Sequence, residues 1–278
     1  MILIADSGST KTHWTVLKQG GILREVYTKG MNPFFQTPEE MGDEIRHALV
    51  PHLTSGTFSE IHFFGAGCIP EKVSAIRKVL TDHFIVNGTV EVDTDMLAAA
   101  KASCGHLPGI VCIMGTGSNS CFYDGEKIVA NVSPLGFILG DEGSGSVLGK
   151  LLIGNLLKNQ MGDELRDKFL QQFKLTPAEI IENVYRKPFP NRFLAGLSPF
   201  LAENIKHPKI YQLVFNAFKD FLIRNVMQYD YRKHKVHFIG SIAFYYKEVL
   251  QAAAEETGIH TGQIVQSPME GLRAYYSI

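Results

Sequence analysis

The chain has little of what would mark it for a membrane, a secretory route or a nucleic-acid partner. Its 278 residues hold four cysteines, one tryptophan and a net charge of −1. No apolar run approaches the ~18 residues that a membrane-spanning helix needs. Asp6 interrupts the first apolar stretch and no basic segment precedes it, so a signal peptide is not indicated either. The near-neutral balance offers no general field for nucleic acid or an anionic surface, so any bound polyanion has to be held by local amides and a metal. Cys68, Cys104, Cys112 and Cys121 lack C-x-x-C spacing, and Cys112 and Cys121 lie in apolar runs where a thiol serves as a small hydrophobe. These absences leave a cytoplasmic globular protein as the expectation, with two domains rather than one at this length.

Two loops rich in glycine and hydroxyls stand out from the rest. Asp6-Ser7-Gly8-Ser9-Thr10-Lys11 follows the apolar run Ile2–Ala5, and Gly115-Thr116-Gly117-Ser118-Asn119-Ser120 follows Ile110–Met114. Each precedes a second strand-like run, Trp14–Leu17 or Cys121–Tyr123, so each reads as a hairpin tip. Glycine at a tip admits φ > 0 and lets consecutive amides converge on an anion. One such loop is an ordinary turn, but a pair, one in each half of the chain, suits a polyphosphate. Neither fits G-x-x-x-x-G-K-[ST] and neither opens a helix, which sets aside the P-loop and the dinucleotide fold.

The organisation is α/β. Strands are expected at 2–6, 13–18 and 22–28 as an antiparallel meander. Thr37-Pro38-Glu39-Glu40 then forms a capping box opening a helix to about Leu53. Strand Ile61–Gly65, helix Glu71–Phe84, strand Thr89–Val92 and helix Met96–Ser103 follow. The same programme restarts with strands at 110–114, 120–124 and 127–132, which reads as a duplicated domain. Helices are then expected near 144–158, 163–173, 177–186, 192–206 and 209–230, before strand Val236–Gly240 and helix Ser241–Thr257, closed by Gly258. The expected domains are 1–105 and 106–267, the second with a helical insertion at about 155–230. A C-terminal helix at about 268–278 is expected to pack back on the first.

The acids offer chemistry. Asp6 ends a strand and points into the first loop, where it either holds Mg²⁺ directly or through water, or caps the hairpin as an Asx turn. Asp93 and Asp95 end another strand just before a helix, so one of them is expected as its N-cap, and Asp95 can also take a proton from an incoming hydroxyl. Gly136–Gly145 is dense in glycine, with adjacent acids Asp141 and Glu142 and with Ser144 as a helix cap. Gly240-Ser241 lets a flat ligand lie against bare backbone.

In this order, DSGSTK, GTGSNS, GFILGDEGSG and FIGSIA resemble the phosphate-1, phosphate-2, sugar-contacting and adenosine segments of the sugar kinase, chaperone ATPase and actin superfamily. Within it, the whole chain is similar to N-acetylglucosamine kinases and to the related activator ATPases of benzoyl-CoA reductase and 2-hydroxyacyl-CoA dehydratase. The resemblance implies two duplicated ribonuclease-H-like (actin-like ATPase) domains with an interdomain cleft. It also implies ATP and Mg²⁺ as ligands, and transfer of a phosphoryl group to an amino sugar such as N-acetylglucosamine.

By the same resemblance, Asp6 is the metal-associated acid, Gly8, Ser9, Thr10 and Lys11 lie near the terminal phosphates, and Gly115, Thr116, Gly117 and Ser118 form the second phosphate clamp. Asp95, in a Thr-Asp-x-x-Ala-Ala setting, is the general base, expected as an ionised carboxylate with little perturbation. Asn32, Asn119, Asp141 and Glu142 contact the sugar, and Gly240 and Ser241 lie against adenosine. His13 departs from the pattern, since relatives often carry Asp after T-K-T; a partly exposed strand histidine is expected. The implied partners are ATP and the sugar, with no nucleic acid and no membrane, and a homodimer is left open. The alternative is an ATPase that activates a reductase or dehydratase through a bridging iron–sulfur cluster, for which only Cys68 and Cys104 are candidates. A sugar sensor ranks last, because neither a helix-turn-helix extension nor a C-x-C-G pattern supports it.

Overall fold

A strand that is apolar on both faces, such as Ile2-Leu3-Ile4-Ala5, is stable only where both faces are covered. In the computed structural model, which describes residues 1–8 and 10–277, this run is β1 (Ile2–Ser7), the middle strand of a five-stranded sheet. β2 (Lys11–Lys18) and β3 (Gly21–Lys29) extend it antiparallel on one side. On the other side, β5 (Glu60–Gly65) and β7 (Val90–Thr94) extend it in parallel. Parallel neighbours need crossovers, and these are α1 (Pro38–Glu44) and α2 (Pro70–His83), while α3 (Asp95–Cys104) leaves β7. The capping box of Thr37 and Glu40 is present. The helical stretch expected to reach Leu53 runs instead through a π turn at Ile45–Leu49 and a 3₁₀ turn at Val50–His52.

Successive strand residues point to opposite faces. Phe63 packs with Leu3, Trp14, Ile76 and Leu80, whereas Phe64 packs with Ile4, Ala98, Met269 and Leu272. Each such buried side chain contributes about 1.5–3 kcal/mol relative to exposure. Two short strands, β4 (Thr57–Phe58) and β6 (Ile85–Val86), pair only with each other and were not expected from the sequence.

The second sheet repeats the order of the first. β8 (Gly109–Met114) is central, β9 (Ser118–Tyr123) pairs with it antiparallel, and β10 (Ile128–Val132) lies beyond. β11 (Val236–Ile239) and β12 (Thr261–Val265) follow in parallel on the other side. The order β3-β2-β1-β5-β7 is thus matched by β10-β9-β8-β11-β12, and β12 is a strand that the sequence reading missed.

Between β10 and β11 lie α4 (Gly136–Leu139), α5 (Gly145–Leu157), α6 (Asp163–Phe173), α7 (Pro177–Tyr185), α8 (Pro190–Ala195), α9 (Ser198–Glu203) and α10 (Pro208–Arg224). The helix expected over 192–206 is two pieces because Pro199 has no amide to continue the first. The one expected over 241–257 breaks at Tyr246 into α11 (Ser241–Tyr245) and α12 (Lys247–Glu256), with the Tyr246 ring buried and its hydroxyl donating to the Ser198 carbonyl.

The chain forms two units. One contains Met1–Leu107, Asp124–Ile128 and Pro268–Ile278; the other contains Pro108–Tyr123 and Val129–Ser267. The last helix, α13 (Met269–Tyr276), belongs to the first unit and packs against α3, where Gly271 meets the backbone of Ala102. Among the described residues, no helix is long and apolar enough to cross a membrane.

Candidate active site

In the first unit, the sheet brings two acids together. Asp6 lies near the end of β1, across β5 from Asp93 on β7, and Asp95 is the first residue of α3. Neither aspartate caps that helix. Thr94 does so, its hydroxyl accepting the Leu97 amide, while the Asp93 carboxylate accepts the Thr94 amide at 2.7 Å. A hydroxyl one residue before the helix took the place expected for a carboxylate, and Asp95 is released for other work.

Burial pushes the Asp6 carboxyl up from 3.8 to about 7, with the Asp95 charge adding to the rise and Lys11 opposing it. Burial also raises Asp95, against the pull of the Met96 amide and its own. The little-perturbed base expected from the sequence is therefore corrected: removal from water dominates. Among the described residues, the Asp6 side chain has no hydrogen-bond partner.

The first loop is a hairpin tip closed by the Gly8 amide donating to the Lys11 carbonyl at 3.0 Å. Ser9 lies outside the described residues. Thr10 and Lys11 are exposed, and the Lys11 ammonium sits 5.3 Å from the centre of the Tyr27 ring. Ser7, in contrast, is spent internally: its hydroxyl contacts Thr12 and both the amide and the carbonyl of Met31. This anchors the segment that carries Asn32. Asn32 is buried, and its Oδ1 accepts the Phe34 amide at 2.9 Å, leaving its Nδ2 without a partner among the described residues.

In the second unit, the loop after β8 is tied to the start of α5. The Gly145 amide donates to the Gly115 carbonyl at 2.8 Å, and the Ser146 amide to the Thr116 carbonyl at 3.1 Å. The Gly115 amide is used by the Gly117 carbonyl, so the amides of Thr116 and Gly117 remain unspent among the described residues. Ser118 belongs to β9, not to the tip; its amide donates to Asp141 Oδ1 at 3.2 Å and its hydroxyl to the Glu142 carbonyl at 2.8 Å. Gly8, Gly115 and Gly117 are not left-handed, contrary to the reason first given for them. Gly117 instead gives room to Asp141, whose carboxylate lies 3.1 Å from where a Cβ would stand.

Asp141 is raised, chiefly by burial. Glu142 is already engaged, by Arg224 Nη1 at 2.7 Å and Asn225 Nδ2 at 3.3 Å. The carbonyl oxygen of the Asn119 side chain accepts from the Ser120 amide and Asn131 Nδ2. Gly240 has φ +122, and a Cβ there would overlap the Met114 carbonyl, so close strand packing alone already accounts for this glycine. Ser241 is exposed.

Residues that sequence reasoning missed do much of the holding. Arg224 and Asn225 grip Glu142, and the Tyr229 hydroxyl meets Ser120 and the Val132 amide. The contacts of Asn225 with Glu142 and of Tyr229 with Ser120 span 83 and 109 residues, so no local pattern could reveal them. His13 is buried rather than partly exposed, bonded to Glu25 at 3.0 Å and stacked on Tyr27; burial, chiefly, lowers its pKa. Arg273 also pairs with Glu25. Cys68 is buried, its thiol pushed up to about 12 by burial and then by Asp95 and Asp93. Cys104 is half-buried and raised to about 11.

No protein-family model and no curated protein matches the chain. Among solved structures, it is 51% identical to a candidate N-acetylglucosamine kinase from Porphyromonas gingivalis, over 100% of this chain and 99% of that one, with a TM-score of 0.97. A candidate N-acetylglucosamine kinase from Chromobacterium violaceum shares the fold at 15% identity, over 99% and 98% of the two chains, with a TM-score of 0.76. A ROK family glucokinase from Streptomyces griseus, solved with glucose and AMPPNP, shares it at 15% identity, over 98% and 97%, with a TM-score of 0.56.

Proposed function

Since the chain belongs to the N-acetylglucosamine-kinase-like ATPases of the actin fold, we propose that it transfers the γ-phosphoryl group of ATP to a hydroxyl of an amino sugar such as N-acetylglucosamine. The observation that carries this reading is the pair Asp6 and Asp95: two carboxyls raised by burial, with only Lys11 as an opposing charge on Asp6. Such a pair is costly alone and suits a site completed by a cation and a hydroxyl.

The donor set fits Mg²⁺. Among the described residues, no three His, Cys, Asp or Glu side chains gather to hold a metal by themselves. Mg²⁺ is ordinarily held by one or two carboxylates together with substrate phosphates, and Asp6 supplies such a carboxylate. Bound with ATP, the ion would offset charge on the phosphates and on these acids.

Asp95 is the proposed base. Its carboxylate, oriented by the Met96 amide, accepts the sugar hydroxyl proton as the new O–P bond forms. A raised pKa makes it a stronger proton acceptor once ionised, and reduces the ionised fraction at low pH. The unspent amides of Thr116 and Gly117 and the ammonium of Lys11 are the proposed partners of phosphate oxygens. Gly8, Ser9, Thr10, Gly115 and Ser118 complete the two phosphate loops in this reading. Asn32 and Asn119 present amide donors to sugar oxygens. Asp141 and Glu142 present carboxylates, with that of Glu142 shared with Arg224. Gly240 and Ser241 are proposed beside adenosine.

The activator-ATPase reading draws no support from the cysteines. Cys68 is buried, and a high thiol pKa disfavours the thiolate that iron would need. A screen of sugar-dependent ADP release across acetylated and free amino sugars tests the kinase reading. ADP release independent of every sugar, from a protein that absorbs in the visible when purified without oxygen, would replace it with the alternative.

A further inference from the structure

We infer that Gly67 is a positioning residue for sugar recognition, acting through Asn32; this rests on the sugar role proposed for Asn32. Gly67 lies in the turn between β5 and α2, where its carbonyl accepts the Ile69 amide at 2.8 Å. Its φ is +84, a region that side chains of L-residues rarely adopt. A Cβ at this position would stand 2.5 Å from Asn32 Oδ1 and 2.7 Å from Phe34 Cδ2. The missing side chain is thus the space that the Asn32 amide fills.

The other sides of Asn32 are also fixed. Its amide N–H donates to Gln36 Oε1 at 2.8 Å, and its carbonyl accepts from Phe35 and Gln36 at 3.0 and 3.1 Å. With Oδ1 bound to the Phe34 amide, the side-chain acceptor is satisfied, and Nδ2 is left as a donor without a partner among the described residues. Gly67 borders the amide on one further side. Phe34 is 55% exposed and so has solvent-side room to yield, whereas Asn32 is buried and held at four points. A methyl group at 67 therefore displaces the Asn32 amide and costs the sugar contact, although Gly67 itself is not assigned any contact with the ligand.

The test is Gly67→Ala, compared with Asn32→Ala and with the double variant. Gly67→Ala is expected to raise the sugar KM by the same order as Asn32→Ala, about 5- to 150-fold, with kcat and the KM for ATP within about twofold of wild type. The double variant is expected to have a sugar KM no worse than that of Asn32→Ala, because Asn32 Oδ1, the nearer of the two atoms that a Cβ would strike, is gone. An unchanged sugar KM in a folded Gly67→Ala protein, or single effects that multiply in the double variant, overturns the inference.

If Gly67→Ala does not fold, recovery of a folded double variant supports the inference, and failure to recover overturns it. The side-chain amide resonances of Asn32, identified by their loss in Asn32→Ala, give a readout that needs no turnover. They are expected to shift in Gly67→Ala before sugar is added. A shift in a protein whose wild type phosphorylates no sugar would keep the packing and reject the kinase reading, whereas unmoved resonances reject the packing.

Discussion

The charge on Asp6 makes the ligand-free protein less stable as pH rises, and Asp6→Asn should reverse this. Burial first, and then the Asp95 charge, push the Asp6 carboxyl from 3.8 to about 7, against Lys11. Between those two values the folded chain keeps a proton that the unfolded chain releases, so stability falls as pH rises through the window and levels off above it. At about 1.4 kcal/mol for each tenfold difference in proton affinity, the full cost is roughly 4 kcal/mol. Partial exposure of the side chain reduces this to about 2–4 kcal/mol.

Asparagine keeps the shape and removes the charge. The variant is expected to gain that amount at pH 8 and almost nothing at pH 4. At about 2–4 °C per kcal/mol for chains of this size class, the gain at pH 8 is several degrees in Tm. Urea and thermal unfolding at pH 4, 6 and 8, without nucleotide or divalent cation, measure it. A variant no more stable than wild type at pH 8, or equally stabilised at pH 4, refutes the reasoning.

Asp95→Asn is expected to lower turnover by about 10²–10⁴ with nucleotide affinity nearly kept, read by ADP release and by titration with a fluorescent nucleotide; undiminished turnover removes Asp95 as base. Asp6→Ala should weaken binding of Mg·ATP far more than that of metal-free ATP in calorimetry, and equal losses would assign Asp6 to loop shape alone. Gly240→Ala should destabilise by at least about 3 kcal/mol in urea, since its Cβ would overlap the Met114 carbonyl; a near-neutral effect would show that the strands can part there. In a thiol titration of the native protein only Cys104 should react, with all four cysteines reacting once denatured, because Cys68, Cys112 and Cys121 are buried.

The parts legible in the sequence are those written in local patterns. Apolar runs followed by loops with Gly8 and Gly117 marked both hairpins, and Thr37 with Glu40 marked the start of α1. The parts that were not legible depend on distant partners. β12 contains Gly262 and Gln263 and is held as a strand by pairing with β11, not by its own composition. Thr94, rather than a neighbouring aspartate, caps α3, and the two acids beside it looked like better caps on preference alone. The elevated Asp6 and Asp95 are consequences of burial among residues far away in sequence, as are the grips of Arg224 and Asn225 on Glu142. The hydroxyls and glycines of a site were thus visible, while the side chains that aim them were not.

The helix that completes the first unit is synthesised only after the whole of the second unit. Lys101 of α3 and Tyr276 of α13 share a hydrogen bond across 175 residues, and Tyr276 also donates to Glu91 and stacks on His62. At about 5–20 residues per second, on the order of ten to thirty seconds of translation separate the two partners. Throughout that interval Ile4, Phe64 and Ala98 lack Met269 and Leu272, which pack with them in the finished protein. Domain order in the gene is therefore not the order of completion. A nascent chain stalled before α13 would expose the apolar and charged back of α3, so chaperone demand during synthesis should centre on the unit that emerges first.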